Sequence, residues 1–377
     1  MSNTRKIWPV WFLSFCFVFL IAGKLEAAGK TKKIDVGGDS KSSGSYAITV
    51  FDRLERAGLG GYFNMGWEST NKTNSFTHQF GLQFSSQLQE PLLFNSELAF
   101  NPDYSADSVT LLQAWVDYKW SDSAVLRAGI VPVPFGRVNA LHRPDYLETA
   151  ELPLYAQYVV PATWRDSGVG FHGNLDIASM GFSYDSYWVN GLTDTVSTST
   201  GLKQSGMAIK PDNNQSKAVT GRIGFIPFQD LEIGGSYYTG KWDANEQKTL
   251  NMVGVDLAWK LDSSIEILAE WAHAKDDSTT DLEGYYAEAH FKFLPEFLKG
   301  TFVTKNLKNP QFTLYVRYGS INLDLLNPTT KTESQCTLGL NYRPMESVVY
   351  KVEYEWDQGQ LDLGDSNRVL ASMAVGF

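Results

Sequence analysis

Residues 130–165 read IVPVPFGRVNALHRPDYLETAELPLYAQYVVPATWR. Five of the chain's 14 prolines fall inside: Pro132, Pro134, Pro144, Pro153 and Pro161. Proline cannot donate to a sheet ladder, which excludes a central strand. The stretch is too apolar and aromatic for a disordered linker, and a structureless segment longer than ~15 residues in a compact domain is usually functional. Strand-like sequence flanks it on both sides. The expectation is a barrel wrapped around this segment, with residues 131–165 folded inward as a constriction.

Outward from there, apolar residues recur at every second position. Phe76, Phe80, Leu82 and Phe84 alternate with Gln79, Gln83 and Ser85, and Leu92, Phe94, Leu98 and Phe100 with Asn95 and Glu97. Phe312, Leu314, Val316 and Tyr318 oppose Thr313 and Arg317, while Val348, Tyr350, Val352, Tyr354 and Trp356 oppose Lys351, Glu353 and Glu355. A helix would scatter these charges around its axis. About sixteen such runs lie between residues 57 and 377, each near the ~9–11 residues of a tilted membrane strand. Alternate connections are tight (87–91, 120–123, 176–178, 227–230, 262–263, 344–347), while the others are longer and polar (191–216, 275–282, 323–333, 358–366). That is the bacterial membrane-barrel pattern, with the short ends periplasmic. Residues 294–310 break it: a connection that should be short is long and rich in Phe and Leu, as extended strand or a small helix. The fold class is therefore all-β: a transmembrane antiparallel up-and-down β-barrel of about 16 strands, with a long loop in the lumen.

Composition agrees. There are 11 Trp, 18 Tyr and 22 Phe among 377 residues, yet mean hydropathy is −0.23. No mature segment approaches ~18 consecutive apolar residues, which excludes a helical membrane protein. Trp67, Trp120, Trp188, Trp242, Trp259 and Trp356 fall near strand ends, where aromatic girdles sit. The alternative is that they plug an ordinary core, as in a soluble secreted β protein. Net charge is −10, which argues against nucleic acid as a partner.

Arg5 and Lys6, an apolar core from Trp8 to Gly23, and the exit Leu25-Glu26-Ala27-Ala28 make residues 1–27 a secretory signal peptide, cleaved at Ala27 or Ala28; a membrane anchor is the alternative. Residues 28–56 read as a flexible mature N-terminus and 57–377 as the barrel. Cys16 lies in the leader, so Cys336 is alone in the mature chain and forms no internal disulfide. The terminal alternation Val369-x-Ala371-x-Met373-x-Val375-x-Phe377 resembles the closing strand and assembly signal of Gram-negative outer-membrane proteins, which implies the barrel-assembly machinery and outer-membrane lipid or lipopolysaccharide as partners.

Leu126-Arg127-Ala128-Gly129 to Gly136-Arg137, followed by Pro161-Ala162-Thr163-Trp164-Arg165-Asp166-Ser167-Gly168-Val169-Gly170, resembles porins related to the phosphate-selective O/P type. The local match spans about 45 residues. The resemblance implies a sixteen-stranded outer-membrane porin passing small solutes or ions passively, often as a trimer. Phosphate selectivity does not carry over, because no lysine ladder is visible. Inward-parity residues are of both signs: Arg127, Arg222, Arg317, Arg343, Lys351 and Arg368 against Glu97, Glu266, Glu270, Glu288, Glu353 and Glu355.

In the long segment, Arg137, His142, Arg143 and Arg165 face Asp145, Glu148, Glu151 and Asp166 as candidate pore-lining charges, since opposed charges at a narrowing set a transverse field. Alternatively, some tie the loop to the wall. Asp145-x-x-Glu148 also has capping-box spacing, so a short helical turn is expected there. Enzymatic readings are poor: the five histidines are scattered, and there is no HExxH, no CxxC and no motif for a metal or cofactor. A barrel displaying adhesive or receptor loops, 191–216 and 358–366, is the alternative to a channel.

Overall fold

The computed structural model describes residues 58–377 apart from 71–72, 101–108, 194–195, 198–199, 204, 206–211, 278–279, 327–331, 360 and 362–366. The expected signal peptide (1–27), the expected N-terminal segment (28–56) and parts of several connections lie outside the described residues. Sixteen strands follow one another: β1 (Gly58–Ser69), β2 (Asn74–Gln89), β3 (Leu92–Phe100), β4 (Val109–Ser121), β5 (Ala124–Pro132), β6 (Arg165–Ile177), β7 (Met180–Val189), β8 (Ala218–Ile226), β9 (Leu231–Lys241), β10 (Thr249–Lys260), β11 (Ile265–Asp276), β12 (Asp281–Phe293), β13 (Gln311–Asn322), β14 (Thr332–Met345), β15 (Val348–Gly359) and β16 (Asn367–Gly376). Each pairs antiparallel with its sequence neighbours, and β16 returns to β1 to close the barrel. The seam runs from Tyr62↔Gly376 to Ser69↔Val369. Gly61 and Phe377 extend it with two reciprocal backbone bonds of 2.9 and 3.0 Å. Closure leaves no strand edge, the condition hydrocarbon imposes on any sheet that crosses it.

The alternation points as expected. On β13, Leu314 and Val316 are 43 % and 46 % exposed, whereas Thr313 and Arg317 are 0 % and 1 %. Aromatic side chains stand on the outer wall near the strand ends, Trp120, Trp188, Trp259 and Trp356 among them. Trp242 is a correction. It follows β9 on the inward parity and is buried, packed in the interior apolar cluster rather than in a girdle.

Connections 90–91, 122–123, 178–179 and 346–347 are tight, while 133–164 and 190–217 are long. The connection between β11 and β12 is tighter than its charges suggested, because the strands run on to Asp276 and begin again at Asp281. Residues 294–310 form neither a strand nor a regular helix. A single 3-10 turn, Glu296–Leu298, is followed by a chain of hydrogen-bonded turns.

Much of the interior is occupied. An apolar cluster gathers Val133, Phe135, Val138, Tyr155, Val159 and Trp164 of the long loop against inward side chains of β7 to β13, including Tyr187, Tyr238, Leu250, Met252, Tyr286 and Ile321. Elsewhere many inward side chains are polar, and Glu97, Asp117, Thr220, Arg317, Thr337, Lys351 and Glu355 are all buried.

Candidate functional site

The loop starts where Pro132, having no N–H, ends the pairing of β5. Its neck is closed by Val133 N donating to Trp164 O at 3.0 Å. Asn139 locks that neck with all its polar capacity: Nδ2 donates to Val133 O (2.7 Å) and Trp164 O (2.8 Å), and Oδ1 accepts from Trp164 N (2.6 Å). Gly136 turns the chain with φ +68°, and an added Cβ there would lie 2.2 Å from a Glu270 carboxylate oxygen. Glu270 stands on β11 and accepts from Val138 N at 2.8 Å, Arg137 N at 3.1 Å and Tyr286 Oη at 2.9 Å.

From there the loop spans the lumen and bonds to wall after wall. Arg137 pairs with Glu232 of β9 at 2.9 Å, and His142 with Glu97 of β3 at 2.9 Å. Arg143 forks onto Asp145 (3.0 and 2.8 Å) and reaches Gln83 of β2 and the Gly61 carbonyl of β1. Glu148 takes Arg343 of β14 at 3.0 Å and Asn341 Nδ2 at 2.8 Å. Lys351 of β15 donates to the Pro144 and Thr149 carbonyls at 2.8 and 2.9 Å. Glu353, two residues on, accepts from Ala150 N (2.9 Å), Glu151 N (3.2 Å) and Tyr315 Oη. Arg317 of β13 donates to the Glu151 carbonyl at 2.9 Å, and Arg368 of β16 pairs with the Glu151 carboxylate at 2.7 Å. A π-helical turn, Tyr155–Val159, then seats the loop's apolar end in the interior cluster.

Charge placement sets protonation within the loop. Burial opposes ionisation of Glu148, but Arg343 and neighbouring donors outweigh it and hold the carboxyl below the ordinary range. Glu151 goes the other way: burial, together with Glu353 and Glu68, raises it despite Arg368. Burial would lower Arg143, yet Asp145 overrides it and the guanidinium is raised.

Of the sequence-derived constriction residues, Arg137, His142, Glu148 and Glu151 pair with the wall, while Arg143 and Asp145 pair with each other, with two further departures from the expected placement. Asp145 and Glu148 cap no helix, because guanidiniums claim both, and residues 144–146 form a turn. Arg165 and Asp166 belong to β6; Arg165 bonds Thr163, while Asp166 accepts from Ser167 N and from Gly191 N at 2.6 Å, pinning the start of the 190–217 connection. On the wall, Arg127 grips Asp117 with two bonds of 2.7 and 2.8 Å and lies over Trp115. Arg222 bridges Glu232 and Asp256, and Glu266 holds Lys292 at 2.7 Å. Asn139, Asn341, Arg343 and Asp117 also belong to the site. Arg343 is marked in the sequence by its inward parity, which Asn341 and Asp117 share on their strands; Asn139 carries no signal.

Between residues 137–153 and β8–β12 a cavity of about 310 Å³ remains, lined by Arg137, Glu148, Glu232, Glu266, Glu288, His290 and Lys292 among apolar neighbours. Among the described residues no group of His, Cys, Asp or Glu is disposed to hold a metal.

No family model matches the chain. An uncharacterised protein of Aquifex aeolicus (strain VF5) is 24% identical over 348 residues, 82% of this chain and 78% of that protein. Among solved structures, OmpF of Salmonella typhi in complex with daunomycin aligns with a TM-score of 0.60 at 12% identity, covering 85% of this chain and 97% of that one. An anion-selective porin from Comamonas acidovorans gives 0.55 at 11%, covering 85% and 99%. The outer-membrane channel DcaP of Acinetobacter baumannii gives 0.53 at 13%, covering 85% and 97%. The chain has the closed sixteen-stranded antiparallel barrel fold of the outer-membrane porins.

Proposed function

We propose that this protein is a channel of the Gram-negative outer membrane, passing small hydrophilic solutes or ions by diffusion, with residues 133–164 as its filter. The observation that carries this reading is the loop's position: it crosses the lumen and is bonded to inward side chains on both sides of the bore, from Glu232 on β9 to Arg368 on β16, seven strands away. A loop that narrows a barrel from within controls passage by size and field. The apolar outer wall and the porin-like fold support the outer membrane as its location, with the tight turns in the periplasm.

The finer kinship with phosphate-selective porins rests on two short stretches and brings no anion preference with it. Around Arg317 and Arg368 stand Glu68, Glu151, Glu288, Glu355 and Asp357, more carboxylates than guanidiniums. That surplus favours cations in the bore.

The test is conductance in planar bilayers. Refolded protein should give small ohmic steps, a reversal potential under a salt gradient should show cation preference, and deletion of residues 141–156 should enlarge the steps. Silence from correctly folded protein excludes a channel, and steps unchanged by the deletion exclude the loop as the filter.

A further inference from the structure

The connection 294–310 is the one long excursion at the short-turn end, and the loop-filter reading leaves it unused. It is ordered by its own bonds: Thr301 Oγ1 and Thr304 Oγ1 both donate to the Leu298 carbonyl, at 2.6 and 2.5 Å, and Lys305 N donates to Thr301 O at 2.7 Å. The excursion is fastened to the outside of the barrel. Tyr342, outward on β14, donates its hydroxyl to the Val303 carbonyl. Tyr342 also belongs to an aromatic row along the outer wall: Phe291–Phe293, Phe293–Phe312, Phe312–Tyr342 and Tyr342–Tyr350, with ring centroids 5.5, 6.0, 4.8 and 6.3 Å apart. The excursion therefore continues the barrel's own aromatic belt.

On it stand the two most exposed large apolar side chains among the described residues, Phe302 at 92 % and Phe297 at 80 %. Lys299, which pairs with Glu296 at 2.5 Å, and Lys305 and Lys308 lie between and beyond them; Glu296 is the one acid, so the excursion is basic in a chain of net charge −10. Exposed aromatics flanked by lysines at a membrane boundary are the composition of an interfacial anchor, with rings among acyl chains and ammonium groups at anionic headgroups.

We propose that residues 294–310 form a lipid anchor: Phe297 and Phe302 insert into the inner, phospholipid leaflet, and Lys299, Lys305 and Lys308 contact anionic phospholipid headgroups. The occupant is lipid, because the excursion is continuous with the lipid-facing belt and opposite in charge to such a surface. The anchor rests on the barrel's being membrane-embedded, but not on its conducting anything.

The full mature chain carrying Cys336→Ser and Phe302→Cys, labelled with an environment-sensitive fluorophore, would be refolded into phosphatidylcholine vesicles with and without phosphatidylglycerol. The expected result is a blue-shifted emission lost to brominated lipid and protected from aqueous iodide. Quenching by iodide alone overturns the anchor. Shielding from both quenchers also overturns it, in favour of a contact with a second copy. Replacing Lys299, Lys305 and Lys308 with glutamine should reduce lipid quenching in phosphatidylglycerol-containing vesicles and not in phosphatidylcholine alone; equal quenching before and after removes the headgroup contact. The same label at Leu314→Cys reports the barrel wall. Lipid quenching there without quenching at position 302 would defeat the anchor while leaving the embedded barrel intact.

Discussion

Glu148 of the inner loop and Arg343 of β14 meet Oε1 to Nε at 3.0 Å, across 195 residues of sequence. Both side chains are largely shielded, and the pair fixes the loop's middle to the wall beside Asn341. Removing one partner of such a pair strands the other charge. Arg343→Met is therefore expected to cost about 3–5 kcal/mol in resistance of the loop to unfolding. It should appear as larger and noisier conductance steps from a barrel that still migrates as folded protein before heating.

Two neighbouring loop carboxylates should respond to pH in opposite senses. The Glu148 carboxyl is held below its ordinary 4.5, so its contribution is full above that value and is lost as pH falls through the lowered one. The Glu151 carboxyl is raised above 4.5, so its contribution is full below that value and is lost as pH rises through the raised one. At pH 7, Glu148→Gln should lower the unfolding temperature in detergent and Glu151→Gln should leave it unchanged or raise it. Below the lowered Glu148 value the Glu148 substitution should become silent. Matching effects of the two at pH 7 would contradict the charge arrangement described.

Glu353 makes a different kind of latch. Its carboxylate accepts two successive loop N–H groups, Ala150 and Glu151, and the Tyr315 hydroxyl. Glutamine can replace only part of this, since one of its two ends donates. Glu353→Gln is expected to raise single-channel conductance, and Glu353→Ala to raise it further, with little change in barrel stability. Conductance equal to that of the unaltered protein in both would mean the loop stays in place without the latch.

Much of this was legible in the sequence, for a reason that separates wall from plug. Hydrocarbon on one side and polar interior on the other force a period of two, and a one-residue slip would turn every side chain around; hence Leu314 and Arg317 could be oriented from parity alone. Proline marked the loop. The loop's partners were illegible because they are remote: Arg137 meets Glu232, and Glu148 meets Arg343, without any local spacing to announce them. Where a local pattern existed it misled. Asp145 and Glu148 have capping-box spacing, but guanidiniums bind both more strongly than an amide end would. The apolar plug did leave a trace. At Tyr187-Trp188-Val189 on β7 and around Leu250 and Met252 on β10, the inward positions are apolar as well, a sign that something other than water lies against them.

Gly136 offers a test of the plug's entry. Its φ of +68° lies in the left-handed region, and a methyl group would press within 2.2 Å of Glu270 Oε2. Gly136→Ala therefore carries the ~1–2 kcal/mol of that backbone region and also pushes away the carboxylate that accepts from Arg137 N and Val138 N. Leu314→Arg is the matching test of the wall, costing ~2–4 kcal/mol at mid-strand on the lipid face. The two should separate cleanly. Gly136→Ala should loosen the loop, read as increased conductance and faster proteolysis within 133–164, and spare barrel assembly. Leu314→Arg should lower the yield of folded barrel and leave the conductance of what does fold unchanged. Folding unaffected by Leu314→Arg would mean that residue does not face lipid, and conductance unaffected by Gly136→Ala would mean that the turn does not hold the filter.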